Sequence, residues 1–148
     1  MKTASATIQI DAPPMTVWSI LTDLGRYGEW NPLFPAASGQ VAPGNRITLK
    51  SVRPGNGRAM TVRPRIVAAE PGAELSWCSS LPGIIGGEHS YTLTPAGSGT
   101  RLVQSESFRG LLVPFAGKAV AGAEAGFQRV NAALKQRAEA IARDQRAP

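Results

Sequence analysis

One cysteine, Cys78, and one histidine, His89, are all this chain has of the two residue types that most often carry metal or nucleophilic chemistry. A lone cysteine forms no internal disulfide, which fits a reducing cytoplasm, and without a second Cys or His the usual zinc spacings cannot be built. No apolar run approaches the ~18 residues a membrane span needs. The opening MKTASATIQIDAPP lacks the apolar stretch of a secretory signal. The Gly86-Gly87 pair has no GKS/GKT or GxGxxG context for phosphate, and no nucleophile elbow occurs. Carboxylates are few, and Asp11, Asp23 and Asp144 read as caps or surface charges. No metal and no organic cofactor is expected.

The formal charge is +6, from 16 Lys and Arg against 10 Asp and Glu. Such a balance can steer a protein to nucleic acid or an anionic surface. The basic residues are spread along the chain, however, with no dense run. Arg63 and Arg65 share one strand face, as do Arg46 and Lys50, which makes a solvated outer sheet face. Nucleic-acid binding is therefore not expected.

What the chain has in quantity is punctuation: 16 glycines and 12 prolines in 148 residues. Ala4 to Ile10 alternates as a strand. Asp11-Ala12-Pro13-Pro14 then suits a first helical turn, and short helices come next over Met15 to Asp23 and Arg26 to Trp30. Turn signals at Pro43-Gly44-Asn45, Pro54-Gly55-Asn56-Gly57, Pro71-Gly72 and Pro95-Ala96-Gly97-Ser98-Gly99 divide the central part of the chain. Between them strands are expected near Ala36–Val41, Arg46–Val52, Ala59–Ala69, Glu74–Ser80, Gly87–Thr94 and Thr100–Phe108. Only Gln145 to Pro148 read as a frayed tail, so residues 1–148 are expected to form a single domain.

The ending is one amphipathic helix, roughly Leu112 to Arg143. Apolar residues recur at Leu112, Phe115, Ala119, Val120, Ala123, Phe127, Val130, Leu134, Ala138 and Ile141, the spacing of a single helical face. Its first half is thin, with Ala116, Gly117, Ala119, Ala121, Gly122, Ala123, Ala125 and Gly126. A helix that packs a sheet with Leu and Ile at one end, and with Ala and Gly at the other, leaves a gap where a small apolar ligand fits.

Strand parity gives the sheet face turned to that helix. Leu102, Gln104, Glu106 and Phe108 share one side of the last strand; His89, Tyr91 and Leu93 share one side of the strand before it. Leu75 with Trp77, and Ile47 with Leu49, extend this face, as do Met60, Val62, Pro64 and Ile66. The interior is thus apolar and aromatic with three polar groups, His89, Gln104 and Glu106, which must pair with one another, with water or with a ligand. His89 and Glu106 fall on neighbouring strands and are candidate partners.

The residues that carry a family likeness are Ile8-Gln9-Ile10-Asp11-Ala12-Pro13, Val17-Trp18, Leu21-Thr22-Asp23, Tyr27 and Trp30-Asn31-Pro32. Further along come Gly87-Glu88-His89, Gly99-Thr100-Arg101-Leu102 and Glu106-Ser107-Phe108-Arg109-Gly110. In this order they resemble the START / SRPBCC superfamily, which includes pollen-allergen-like and polyketide cyclase/dehydrase-like proteins. The resemblance spans Ala4 to about Ala142. It implies an α+β helix-grip fold: a curved antiparallel sheet of about seven strands wrapped around a long C-terminal helix, with two short helices after the first strand. It also implies a cavity lined or gated by Trp30, Phe34, Trp77, His89, Tyr91, Gln104, Phe108, Phe115 and Phe127.

The first functional expectation is binding or transport of a small hydrophobic molecule of lipid, polyketide or aromatic type, by a monomer or homodimer. The alternative is a cofactor-free polyketide cyclase, dehydratase or aromatase in which His89 moves a proton and Glu106 orients it. A third is an interaction module that uses the basic outer face.

Overall fold

The computed structural model describes residues 1–52, 58–81, 85–110, 113–115 and 117–147. β1 (Lys2–Ile10) buries Ala4, Ala6 and Ile10 on its inner side, the period-2 consequence of pleating. α1 (Pro14–Thr22) comes next, with a proline rather than an Asp at its N-cap, and a 3-10 helix spans Leu24–Glu29. The remaining strands are β2 (Ala36–Ser38), β3 (Thr48–Val52), β4 (Ala59–Val62), β5 (Arg65–Glu70), β6 (Glu74–Leu81), β7 (Ile85–Ala96) and β8 (Gly99–Arg109). A short 3-10 turn, Val113–Phe115, precedes the closing helix α2 (Gly117–Arg146). The class is the expected one, α+β with a curved antiparallel sheet and a long C-terminal helix. The expected turn at Pro54–Gly57, and the helical positions Leu112 and Ala116, lie outside the described residues.

There are eight described strands rather than about seven, because Pro64 divides the stretch expected as one strand over Ala59–Ala69. Proline has no N–H to give a ladder. Before the break, β4 pairs with β3 (Leu49↔Val62); after it, β5 pairs with β6 (Ile66↔Trp77). The order is thus β1-β8-β7-β6-β5 in one sheet and β2-β3-β4 in the other. The Pro64 carbonyl still accepts the Ile47 N–H at 3.0 Å, and Ile66 N–H reaches the Asn45 carbonyl at 2.8 Å. These bonds carry the hairpin around the corner, so the two sheets form one concave surface.

α2 lies along β1, and its side chains take up backbone groups of that strand. Asn131 Nδ2 donates to the Ala6 carbonyl at 3.3 Å, Lys135 Nζ to the Gln9 carbonyl at 2.7 Å, and the Asp11 N–H donates to Glu139 Oε1 at 2.9 Å. An edge strand is thereby covered rather than left open to another chain. The C-terminal half of α2 is anchored in the main core through Leu134, Ala138 and Ala142, alongside Leu21, Tyr27 and Leu102. Full burial of a Leu is worth about 1.5–3 kcal/mol, so this half holds the helix in place. Among the described residues no helix is long and apolar enough to cross a membrane.

Candidate functional site

The N-terminal half of α2 does not close on the sheet. A cavity of about 500 Å³ lies between them. Its helical wall is Lys118, Ala119, Gly122, Ala123, Gly126 and Phe127. The reason is side-chain volume: a Cβ built at Gly122 meets no atom within 4 Å, and one at Gly126 meets only Leu33 Cδ1 at 3.9 Å. The bent hairpin supplies Leu49, Met60 and Val62, and the concave sheet supplies Trp77, His89, Glu106 and Phe108. Buried Leu49, Trp77, His89 and Phe127 form the floor, while exposed Met60, Ser79, Lys118 and Ala119 mark the mouth.

Leu33 and Phe34 reach the cavity from the loop after the 3-10 helix. Asn31 aims them: its buried Oδ1 accepts the Leu33 N–H at 3.0 Å and the Phe34 N–H at 2.9 Å, an Asx turn that folds the chain back. Phe34 then presents its ring edge-on to both Trp77 and His89, with centroids 6.1 and 6.2 Å away.

His89 sits at the centre of a polar chain inside this apolar surface. Its Nε2 lies 3.0 Å from Gln104 Nε2, which also donates to Tyr91 Oη at 3.1 Å. Its Nδ1 lies 3.7 Å from Glu106 Oε2. Gln104 thus ties Nε2 into the interior, while Nδ1 is the ring nitrogen that faces the carboxylate. Strand register makes this chain: His89 is opposite Glu106, and Tyr91 opposite Gln104. Burial above all, and then the charges of Tyr27 and Glu106, push the Tyr91 phenol well above its usual range, so it stays protonated. Gly87, two residues before His89 on the same face, is where β7 runs close to β8: a Cβ there would come within 2.9 Å of the Ser107 carbonyl oxygen and 3.4 Å of Glu106 Oε1.

The structure brings Phe34, Trp77, His89, Glu106, Phe108 and Phe127 together on the cavity surface. Tyr91 and Gln104 are fully buried beside His89 and support it from behind. Two expected lining residues lie elsewhere. Trp30 turns edge-on to Tyr27 at 5.2 Å, in a surface groove with Ala133, Arg137 and Ile141, because the Asx turn carries Phe34 rather than Trp30 inward. Phe115 is 84% exposed, since it belongs to the 3-10 turn and the helical phase that would turn it inward does not extend to it. The sequence reading missed Leu33, Ser79 and Lys118. For Lys118 the signal was available, four residues before Gly122 on the thin face of the helix.

A family model described as polyketide cyclase / dehydrase and lipid transport matches residues 1–139. Among solved structures, a protein from Mesorhizobium loti superposes with a TM-score of 0.74 at 25% identity, covering 99% of this chain and 100% of its own. A START superfamily protein from Mycobacterium smegmatis gives 0.74 at 19% identity, covering 94% and 98%. A protein in the dynemicin biosynthetic locus gives 0.71 at 21% identity, covering 92% of this chain and 46% of that one. No curated protein matches the sequence.

Proposed function

The chain belongs to the polyketide cyclase/dehydrase and lipid transport family, and from that membership we propose that it binds a small, largely apolar molecule in the cavity beside the N-terminal half of α2. The observation that carries this reading is the open space at Gly122 facing Trp77, Phe34 and Phe108. A site of about 500 Å³ is within the size range of small-molecule pockets. Apolar burial at about 25 cal/mol per Å² supplies affinity, and the few polar groups supply orientation.

The test is native mass spectrometry of the purified chain, followed by denaturing extraction of whatever co-purifies. A bound apolar species that is lost from a Gly122→Phe variant of unchanged fold is the expected result. Equal retention by that variant overturns the assignment of the cavity.

A second reading, cofactor-free cyclisation or dehydration of a polyketide-like substrate, is favoured by one observation: His89 and Glu106 face each other within the same cavity. In that reading the roles reverse from the sequence-based expectation. Both His89 nitrogens face protein groups, so the carboxylate of Glu106 is the proton-carrying group that meets substrate and His89 positions it. Turnover lost in Glu106→Gln but kept in His89→Gln supports this assignment, and the opposite pattern removes it.

A further inference from the structure

Glu106 is the charged group of the sheet wall, and its carboxylate is poorly provided for. Its side chain is 25% exposed and, among the described residues, its one ionic contact is His89 Nδ1, at 3.7 Å, beyond hydrogen-bond reach. Among the described residues no donor comes within hydrogen-bond distance of either carboxylate oxygen. The other polar group at its height, His89, has its far nitrogen taken by Gln104. Lys118 lies on the opposite, helical wall and is exposed at the mouth. A carboxylate that shares this cavity with Phe108, Phe34 and Trp77 keeps unused acceptor capacity, and a group that donates to it gains a charge-assisted bond.

We infer that the ligand of this cavity is an apolar, ring-sized body carrying one hydrogen-bond donor head, a hydroxyl or a protonated amine, and that Glu106 receives that head. This inference rests on the cavity being a ligand site. It goes further in assigning the polarity of the ligand: a donor gains a charge-assisted bond there, whereas a carboxylate head meets a like charge. The aromatic floor takes the body of the ligand, and the stacked Trp77 and His89 rings keep that floor rigid.

Three probes with one shared body separate the possibilities: naphthol, naphthylmethylamine and naphthoate, each titrated calorimetrically into the full chain. Naphthol and the amine should bind at least about tenfold more tightly than naphthoate, the scale of one hydrogen bond to a charged acceptor. In Glu106→Gln, a near-isosteric change, the amine should lose most of its advantage and naphthoate should gain. Wild-type protein that binds naphthoate as tightly as naphthol overturns the inference and leaves the ligand-site reading standing. An unchanged ranking in a folded Glu106→Gln variant does the same. If none of the three probes binds wild-type protein, this inference and the ligand-site reading fall together. Because the wild-type ranking is itself a test, the inference stays falsifiable if the variant fails to fold.

Discussion

Trp77 and His89 stack face to face across neighbouring strands, with ring centroids 4.9 Å apart and planes within 4° of parallel. They are register partners on β6 and β7, and Phe127 of α2 meets the imidazole edge-on at 5.1 Å. The ring therefore joins sheet, helix and polar chain at one point. His89→Ala should lower stability by about 2–4 kcal/mol, combining a lost buried ring with an unpaired Gln104 amide. Urea unfolding measures this, and His89→Phe should recover part of the loss by restoring the stack alone. A His89→Ala protein as stable as wild type would show that the stack is incidental to the fold.

The two halves of α2 should respond to mutation with opposite signs. Leu134→Ala empties a fully buried site and should cost about 2–5 kcal/mol. Gly122→Ala adds a methyl group to open space within a helix and should raise stability by about 0.5–1 kcal/mol. Thermal melts of the two variants check the contrast. Destabilisation by Gly122→Ala would mean the helix is closer to the sheet at that point than the structure has it.

Both tyrosines of the chain, Tyr27 and Tyr91, are fully buried. Burial first, with a contribution from Asp23 at Tyr27 and from Tyr27 and Glu106 at Tyr91, raises both phenols above their usual value of 10.0. Below that pH the folded and unfolded chains carry the same phenol protons, and this stabilisation is complete. Above it the unfolded chain releases protons that the native chain keeps, so stability falls as pH rises towards the folded values. Tyrosinate absorbance should therefore appear only together with loss of the circular dichroism of the fold. A tyrosinate signal that develops while the fold is intact would contradict this.

The Lys135 side chain bonded to Glu139 at 2.6 Å, and then the Asp11 N–H, hold the Glu139 carboxyl below its usual 4.5. A depressed acid contributes stability above its unfolded value, and that contribution is lost as pH falls through the folded value. Glu139→Gln should thus melt below wild type at neutral pH, with a gap that narrows as the solution is acidified beneath 4.5. A gap that stays constant with pH would locate the effect in packing rather than in charge.

Much of the site was legible because alternation leaves little choice. Once Leu102 and Phe108 are taken as inward, Gln104 and Glu106 must point the same way, and the structure has Leu102 and Gln104 fully buried. The thin helical half was equally plain, since Gly122 and Gly126 cannot fill space wherever the helix lies. Trp30 and Phe115 were misread for different reasons. Trp30 precedes a turn whose direction is set by Asn31 Oδ1 and two backbone N–H groups, a contact that residue type alone does not announce. Phe115 fits the helical spacing, but it belongs to the 3-10 turn that precedes α2, where the 3.6-residue period does not apply.

The types of the elements, the inner faces of β1, β6, β7 and β8 and the half of the last helix that cannot fill its groove were all open to reading from residue order alone. Those features arise from periods of 2 and about 3.6 residues, which are properties of the local backbone. Where Pro64 turns the hairpin from one sheet to the other, and which polar atom faces the cavity, emerged from long-range packing. His89 and Gln104 are 15 residues apart in sequence and 3.0 Å apart in space, a distance set by the register of β7 on β8. That register turns both imidazole nitrogens towards protein groups and, among the described residues, leaves the carboxylate of Glu106 without a donor, because a hydrogen bond is decided by tenths of an ångström that no pattern of residue types encodes.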